Sequence, residues 1–376
     1  MKARAAIFWE IGKDWSVEEI DLDPPKRGEV LVRIAAAGLC HSDDHLLTGD
    51  IAMPPPIIGG HEGAGVVEEI GEGVTSLAPG DEVIFSFVPS CGRCPSCVSG
   101  HTNGCDRGAE TPFGRQLLDG GTRHHFGDVE LGLMCNVGSF ASHTVVNEAS
   151  CIRVEHPNLS LVSIGLLSCG VVTGWGSAVY AGDVRAGDDV AVVGLGGVGM
   201  SAVQGARMAG ALRVFAIDPV PYKRERAHEF GATHTAASIE EATELIRDET
   251  WGRLCSTVIM TMGVGSGSAV GGAMRITSKR GRVVLTNVHP GTETEVTVHP
   301  QEMFRMERQL IGTLYGSANP RYDINRLLRF YLEGHLKLDE LVTRTYPLED
   351  INVGYADVRA GRVLRGVITP CTERPT

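Results

Sequence analysis

A chain of 376 residues exceeds what one compact core usually carries and suits two domains. With 43% hydrophobic and 21% charged residues it belongs among folded globular proteins and outside the intrinsically disordered ones. A net charge of −12 argues against a broad nucleic-acid surface, and no apolar run approaches the roughly 18 residues of a membrane helix.

The opening MKARAAIFWEIGKDW holds a short apolar stretch without a cleavage-site pattern, so it reads as a strand and not as a signal peptide. Runs at 29–34, 63–70 and 82–87 alternate and are separated by PPKRG and APGD, which predicts short antiparallel strands. Residues 107–138 show no periodicity, and a long surface loop is expected there. From Asp188 the texture changes. The apolar runs VAVVG (190–194), VFAID (214–218), STVIMT (256–261) and RVVLT (282–286) alternate with helical patterns at 200–208, 222–230, 239–249 and 268–277. Strands without a polar face between helices predict a parallel sheet covered on both sides. Two more helices are expected at 323–333 and 348–360, then a strand at 366–369 and a polar tail at 371–376.

Gly194, Gly196 and Gly199 form G-x-G-x-x-G after the first of these strands and before a helix. Glycines there permit a tight turn and close approach of a pyrophosphate to a helix N-terminus. The next strand ends at Asp218, whose carboxylate would accept both adenosine ribose hydroxyls and repel a 2′-phosphate, favouring NAD over NADP. Lys223, Arg224 and Arg226 lie close enough in sequence to soften that exclusion. A glycine-rich turn without a ligand is the bland alternative.

Ten cysteines in a chain of this length favour metal ligands over disulfides. Cys91, Cys94, Cys97 and Cys105 have the spacing C-x2-C-x2-C-x7-C, which can close around one tetrahedral structural zinc. An iron–sulfur cluster is a weaker alternative, given the last spacing. Cys40 and His61 stand in GLCHSDDHLLTGD and GGHEGAGVV with Asp43 and Glu62 beside them. A catalytic zinc needs three protein ligands and an open position, and Cys169 is the remaining candidate for the third. Cys135, Cys151, Cys255 and Cys371 read as ordinary core or surface residues, and His124 and His125 as solvated or satisfied ones.

Taken together, GGHEGAGVV, the four-cysteine lobe and GLGGVG resemble the zinc-containing medium-chain dehydrogenase/reductases, specifically alcohol dehydrogenases, over nearly the whole chain. SFVPSCGRCPSC, GWGSAV, PVPYKRE and NPRYDINRLLR are most similar to the nicotinoprotein, or nitrosodimethylaniline-dependent, branch. The resemblance implies a GroES-like, mainly antiparallel catalytic domain at 1–170 with its zinc lobe at about 91–105. It further implies a Rossmann doubly wound domain at 171–314 and a return to the catalytic domain at 315–376. It implies that Cys40, His61 and Cys169 hold a catalytic zinc, with Asp43 on the histidine, Glu62 behind the metal, and Ser42 and His45 in a proton relay. His41 and Arg365 would meet the cofactor phosphates, and Thr173 and Val198 the nicotinamide. Gly197, Lys223 and Val288 would be further cofactor contacts, and Phe87 would line the substrate site.

The expected enzyme is a cytoplasmic homodimer with two zinc ions per chain, interconverting a primary alcohol and its aldehyde. Within the nicotinoprotein branch NAD(H) stays bound and a small redox carrier of the mycofactocin type accepts the electrons. Two rivals are a dehydrogenase of S-hydroxymethyl thiol adducts of formaldehyde, for which Arg107, Arg115 and Arg123 are anion-binding candidates, and a non-catalytic NAD-binding protein.

Overall fold

The computed structural model describes residues 1–156 and 158–371, which form two compact units. The first joins Met1–Cys169, Asn319–Gly334 and the chain from Leu338 onward; the second joins Gly170–Ala318 and His335–Lys337. Of the expected polar tail, residues 372–376 lie outside the described residues.

In the first unit, strand Lys2–Phe8 pairs antiparallel with Ser16–Leu22, with Ala3 opposite Ile20 and Ala5 opposite Glu18. They centre a six-stranded sheet that also takes in Ile57–Ile58 and three short strands, His124–Phe126, Val129–Glu130 and Gly132–Leu133. A second sheet runs in the order Cys151–Arg153, Glu82–Phe85, Ala64–Ile70, Glu29–Gly38, Arg365–Ile368 and Val342–Tyr346, with His143–Asn147 also on Glu29–Gly38. The closing strand thus brings Arg365 to the sheet that carries Gly38 into the loop of Cys40. Ile7, Ile20, Ile34, Ile58, Phe85 and Phe140 are fully buried in the core of this unit, and Trp15 packs edge-on against Phe140.

The surface loop expected at 107–138 holds for residues 107–121, which are irregular and mostly exposed or half-buried, and is overturned beyond them. This segment supplies the three short strands and buries Leu131, Leu133, Met134 and Val137. Arg123 is buried and forked onto Glu29 at 2.9 and 2.7 Å, with Asp119 at 2.7 Å. Strands of two or three residues are too short to show alternation, and a buried guanidinium is tolerated only because a distant carboxylate meets it. Removing one partner of such a buried pair costs about 3–5 kcal/mol.

The second unit is a parallel six-stranded sheet in the order His234–Ala236, Arg213–Ile217, Asp189–Val193, Cys255–Met260, Thr277–Leu285 and Gln309–Gly312. The helices Gly197–Met208, Pro221–Ala227, Ile239–Glu249 and Gly267–Arg275 lie between successive strands in the chain. Val190, Ala191 and Val192 are all buried, as a strand covered on both faces requires. The order in which strands are added reverses between Asp189–Val193 and its parallel neighbour Cys255–Met260, the topological switch point of a doubly wound sheet, where a crevice opens at the carboxyl ends. Among the described residues no single helix is long and apolar enough to cross a membrane.

Candidate active site and metal centres

In the first unit the chain carries four donor groups to one buried place. Cys40 ends the loop after Glu29–Gly38 and caps the helix His41–Thr48. His61 and Glu62 lie between the strands Ile57–Ile58 and Ala64–Ile70, and Cys169 follows the turn Gly165–Ser168. One ligand atom from each of Cys40, His61, Glu62 and Cys169 lies within 4.8 Å of the others, and all four residues are buried. His61 Nδ1 sits 3.2 and 3.1 Å from the two Asp43 oxygens, leaving Nε2 for the cluster. Gly60 N donates to Asp43 at 2.9 Å from a left-handed backbone (φ +87°) that favours glycine.

The electrostatics of this cluster suit a cation. The hydrogen bond with Cys169 holds the Cys40 thiol well below its usual range, while that bond and burial push Cys169 well above it. Burial raises Glu62 to about 7, against the pull of Arg365, whose guanidinium is hydrogen-bonded to it. Glu62 Oε1 is nevertheless buried without a hydrogen-bond partner. Such an orphaned atom beside two thiols and an imidazole is expensive unless a metal sits among them, and sulfur with nitrogen donors suits zinc. A Cβ on Gly38 would stand 2.2 Å from Glu62 Oε2 and 2.8 Å from Arg365 Nη2, so only glycine lets that pair pack behind the ligands.

Cys91, Cys94, Cys97 and Cys105 form the second such cluster, again with ligand atoms within 4.8 Å. Their geometry is built locally. Cys94 caps the short helix Pro95–Val98, with Pro95 in its first turn. The amides of Cys91, Cys94 and Cys97 point at the sulfurs of Cys105, Cys91 and Cys94 at 3.4, 3.4 and 3.5 Å. Backbone N–H groups aimed at sulfur favour thiolate, the form that binds metal. Phe87 packs against this lobe and sets its ring edge-on to His61, 5.7 Å between centroids.

In the second unit, Gly194 turns at φ +95°, where a Cβ would stand 2.5 Å from Met262 N. Beside Gly196 nothing lies within 4 Å of the Cβ position, and at Gly199 a Cβ would sit 1.9 Å from Gly194 O. The middle glycine leaves room for a ligand at the N-terminus of Gly197–Met208; the outer two hold the turn tight. Asp218 is buried and its oxygens accept from Leu195 N at 2.7 Å and Val220 N at 2.9 Å. Its carboxylate is fixed in direction, with lone pairs left over. The Thr173 hydroxyl is buried without a partner.

The profile of the alcohol dehydrogenase GroES-like domain matches residues 26–156, and that of the zinc-binding dehydrogenases matches 197–333. An NDMA-dependent alcohol dehydrogenase from Amycolatopsis methanolica is 47% identical over 368 residues, covering 98% of this chain and 99% of that protein. The chain belongs to the zinc-containing alcohol dehydrogenases of the medium-chain family. Alcohol dehydrogenase B of Mycobacterium tuberculosis is 46% identical, covering 98% of each chain. The zinc-binding-domain alcohol dehydrogenase protein of Burkholderia ambifaria superposes with a TM-score of 0.91 at 32% identity, covering 99% of this chain and 100% of that one. The benzyl alcohol dehydrogenase of Acinetobacter calcoaceticus does so at 0.88 and 27%, covering 98% and 99%. This dehydrogenase is therefore an oxidoreductase acting on alcohols, with zinc and an NAD-type cofactor.

The remaining expected site residues take these places. Ser42 Oγ lies 3.6 Å from Cys40 Sγ. His45 is buried, its Nδ1 3.1 Å from Asp50. His41 is half-buried at the start of its helix, and Lys223 is half-buried on Pro221–Ala227. Val198 O packs on Gly174, where a Cβ would meet it at 2.1 Å, and Val288 O accepts from Gly265 N at 2.8 Å. Arg365, expected at the cofactor phosphates, has Glu62 as its bonded partner and is buried. Of the three candidate anion-binding arginines, Arg123 is locked in its core pair, Arg107 bonds Glu110 and Arg115 bonds Glu130. Two residues escaped sequence reasoning. Asp50 lies just past the helix-ending Gly49 and is held by Thr48 at 2.6 Å, and Tyr355 donates its hydroxyl to Cys40 O at 3.4 Å. Only the first left a trace, as the carboxylate closing HLLTGD.

Proposed function

We propose that Cys40, His61 and Cys169 hold a catalytic zinc, that Cys91, Cys94, Cys97 and Cys105 hold a structural one, and that the enzyme interconverts a primary alcohol and its aldehyde with NAD(H). The observation that carries this reading is the buried four-donor cluster with the unpartnered oxygen of Glu62 among its groups. Zinc, when bound, supplies a Lewis acid that acidifies an alcohol hydroxyl and polarises an aldehyde carbonyl.

The chain's own groups do the rest. Asp43 holds His61 in the tautomer that presents Nε2. The Glu62–Arg365 pair sets the charge behind the donors. Ser42, beside Cys40, takes the substrate proton, and His45 carries it onward, its ring oriented by Asp50. Phe87 bounds the substrate side by its contact with His61. Gly196 and Gly197 admit the pyrophosphate, with His41 and Arg365 as phosphate contacts; Asp218 takes the adenosine ribose, Thr173 and Val198 pack against the nicotinamide, and Lys223 and Val288 are further cofactor contacts.

The name of the Amycolatopsis relative favours a dinucleotide that stays bound and is reoxidised by a second acceptor, a small redox carrier of the mycofactocin type. Domain limits at about 170 and 315, a homodimer and a cytoplasmic location complete the proposal; free thiols at metal-ligand spacing fit a reducing compartment. Oxidation of thiol adducts has less support, because all three candidate anion-binding arginines carry carboxylate partners.

Cys40→Ala decides the matter. Native mass spectrometry of the variant is expected to show one zinc fewer with NAD(H) binding retained, and alcohol oxidation is expected to fall at least about 10³-fold. Full turnover, or an unchanged zinc count, would overturn the assignment.

A further inference from the structure

After the strand Thr277–Leu285, residues 286–298 return along the helix Gly267–Arg275 as a strap. Thr297 N donates to Gly267 O at 3.1 Å. A Cβ on Gly267 would stand 2.1 Å from Glu295 O, and one on Gly271 2.8 Å from Thr297 O. These two glycines, one helical turn apart, let the strap backbone lie directly on the helix. At the other end Val288 forms a parallel bridge with Val264, two residues past the Met262 backbone that packs on Gly194. The strap therefore borders the carboxyl ends of the parallel strands beside the switch point, where a doubly wound sheet takes its ligand.

One carboxylate ties the strap down. Glu293 Oε1 accepts from Gly267 N at 2.8 Å, and Glu293 Oε2 meets His289 Nδ1 at 2.7 Å. The Gly267 amide and then His289 hold the Glu293 carboxyl below its usual range. His289 packs so closely over Gly265 that a Cβ there would stand 2.3 Å from its Nε2. Residues 291–297 are exposed, so few apolar contacts back up this clasp.

We propose that Glu293 and His289 are positioning residues that hold the strap closed beside the bound dinucleotide and so set how fast NAD(H) leaves. This rests on the reading that the glycine turn and Asp218 bind that dinucleotide. A cofactor lying past Gly196 and Val288 is released as the strap lifts, and the clasp is the charged contact that must open first. Loss of such a bond is expected to speed release without changing the chemistry of the donor cluster, which lies in the other unit.

The test loads the full-length protein with NADH, adds excess isotope-labelled NADH, and follows exchange by native mass spectrometry. Glu293→Ala and His289→Ala are each expected to exchange at least about tenfold faster than wild type, with hydrogen exchange rising at 287–298 and the melting temperature nearly unchanged. Glu293→Asp, which retains the charge, is expected to recover most of the slow exchange. Folded variants that exchange at the wild-type rate would overturn the clasp alone. A wild-type protein that holds no NADH would overturn the dinucleotide reading and the clasp with it. Should His289→Ala fail to fold, Glu293→Ala decides, since Glu293 is exposed and its truncation leaves no cavity in the core.

Discussion

His124 shows how one buried side chain couples this fold to pH. It is fully buried, its Nε2 accepts from Val145 N at 3.3 Å, and burial lowers its pKa from 6.5 to about 3. Between those values the unfolded chain binds the extra proton and the folded one does not. Its contribution is therefore complete above about pH 6.5 and lost as pH falls towards 3, at about 1.4 kcal/mol per pH unit. His124→Gln is expected to lower stability at pH 7 yet flatten the loss between pH 7 and 5 by roughly one proton's slope. Urea denaturation across that range reads the slope; equal slopes for both proteins would exclude a neutral buried imidazole. The cysteines obey the same logic of environment over identity. Cys151 and Cys255 are buried thiols pushed up by burial, whereas Cys40 is drawn down by its neighbours.

Elements differed in how much of them could be read from sequence. The helix Ile239–Glu249 has the expected limits because its signals are local: Ser238 accepts from Glu241 N, and the Glu241 carboxylate accepts from Ala237 N. The parallel strands were legible for a similar reason, since burial on both faces leaves an unbroken apolar run. Segment 122–138 was not, because its order comes from Glu29 and from pairing with Ser16–Leu22. The cysteine lobe lies between these cases: its spacing spoke plainly, while its N–H···S bonds needed coordinates. Cys97→Ala is expected to lose one zinc and lower the melting temperature by several degrees or more, while added NADH still binds. Calorimetry and metal analysis check it; a variant with wild-type stability and zinc content would refute a structural metal there.

At the scale of the whole molecule, Gln309–Gly312 is one of the two edge strands of the parallel sheet, and its flank offers amide and carbonyl groups for pairing. A second copy of the chain is the occupant expected for that edge, in keeping with the proposed homodimer. Light scattering is expected to report two chains per particle, with protection of residues 309–312 in hydrogen exchange that falls on dilution. A monomer at micromolar concentration would overturn it.

The sequence by itself determined the class of chemistry, because zinc lobes and nucleotide turns are written in short spacings whose meaning follows from ligand valence and backbone freedom. It also determined the parallel architecture, through apolar runs that only a doubly covered sheet explains. The tertiary structure alone decided that Glu62 and Arg365 pair behind the ligands, that His45 leans on Asp50, and that short strands between residues 124 and 133 join a sheet. Each of those depends on a partner brought close by folding, and a contact between residues 303 positions apart, as Glu62 and Arg365 are, leaves no periodic trace in the chain.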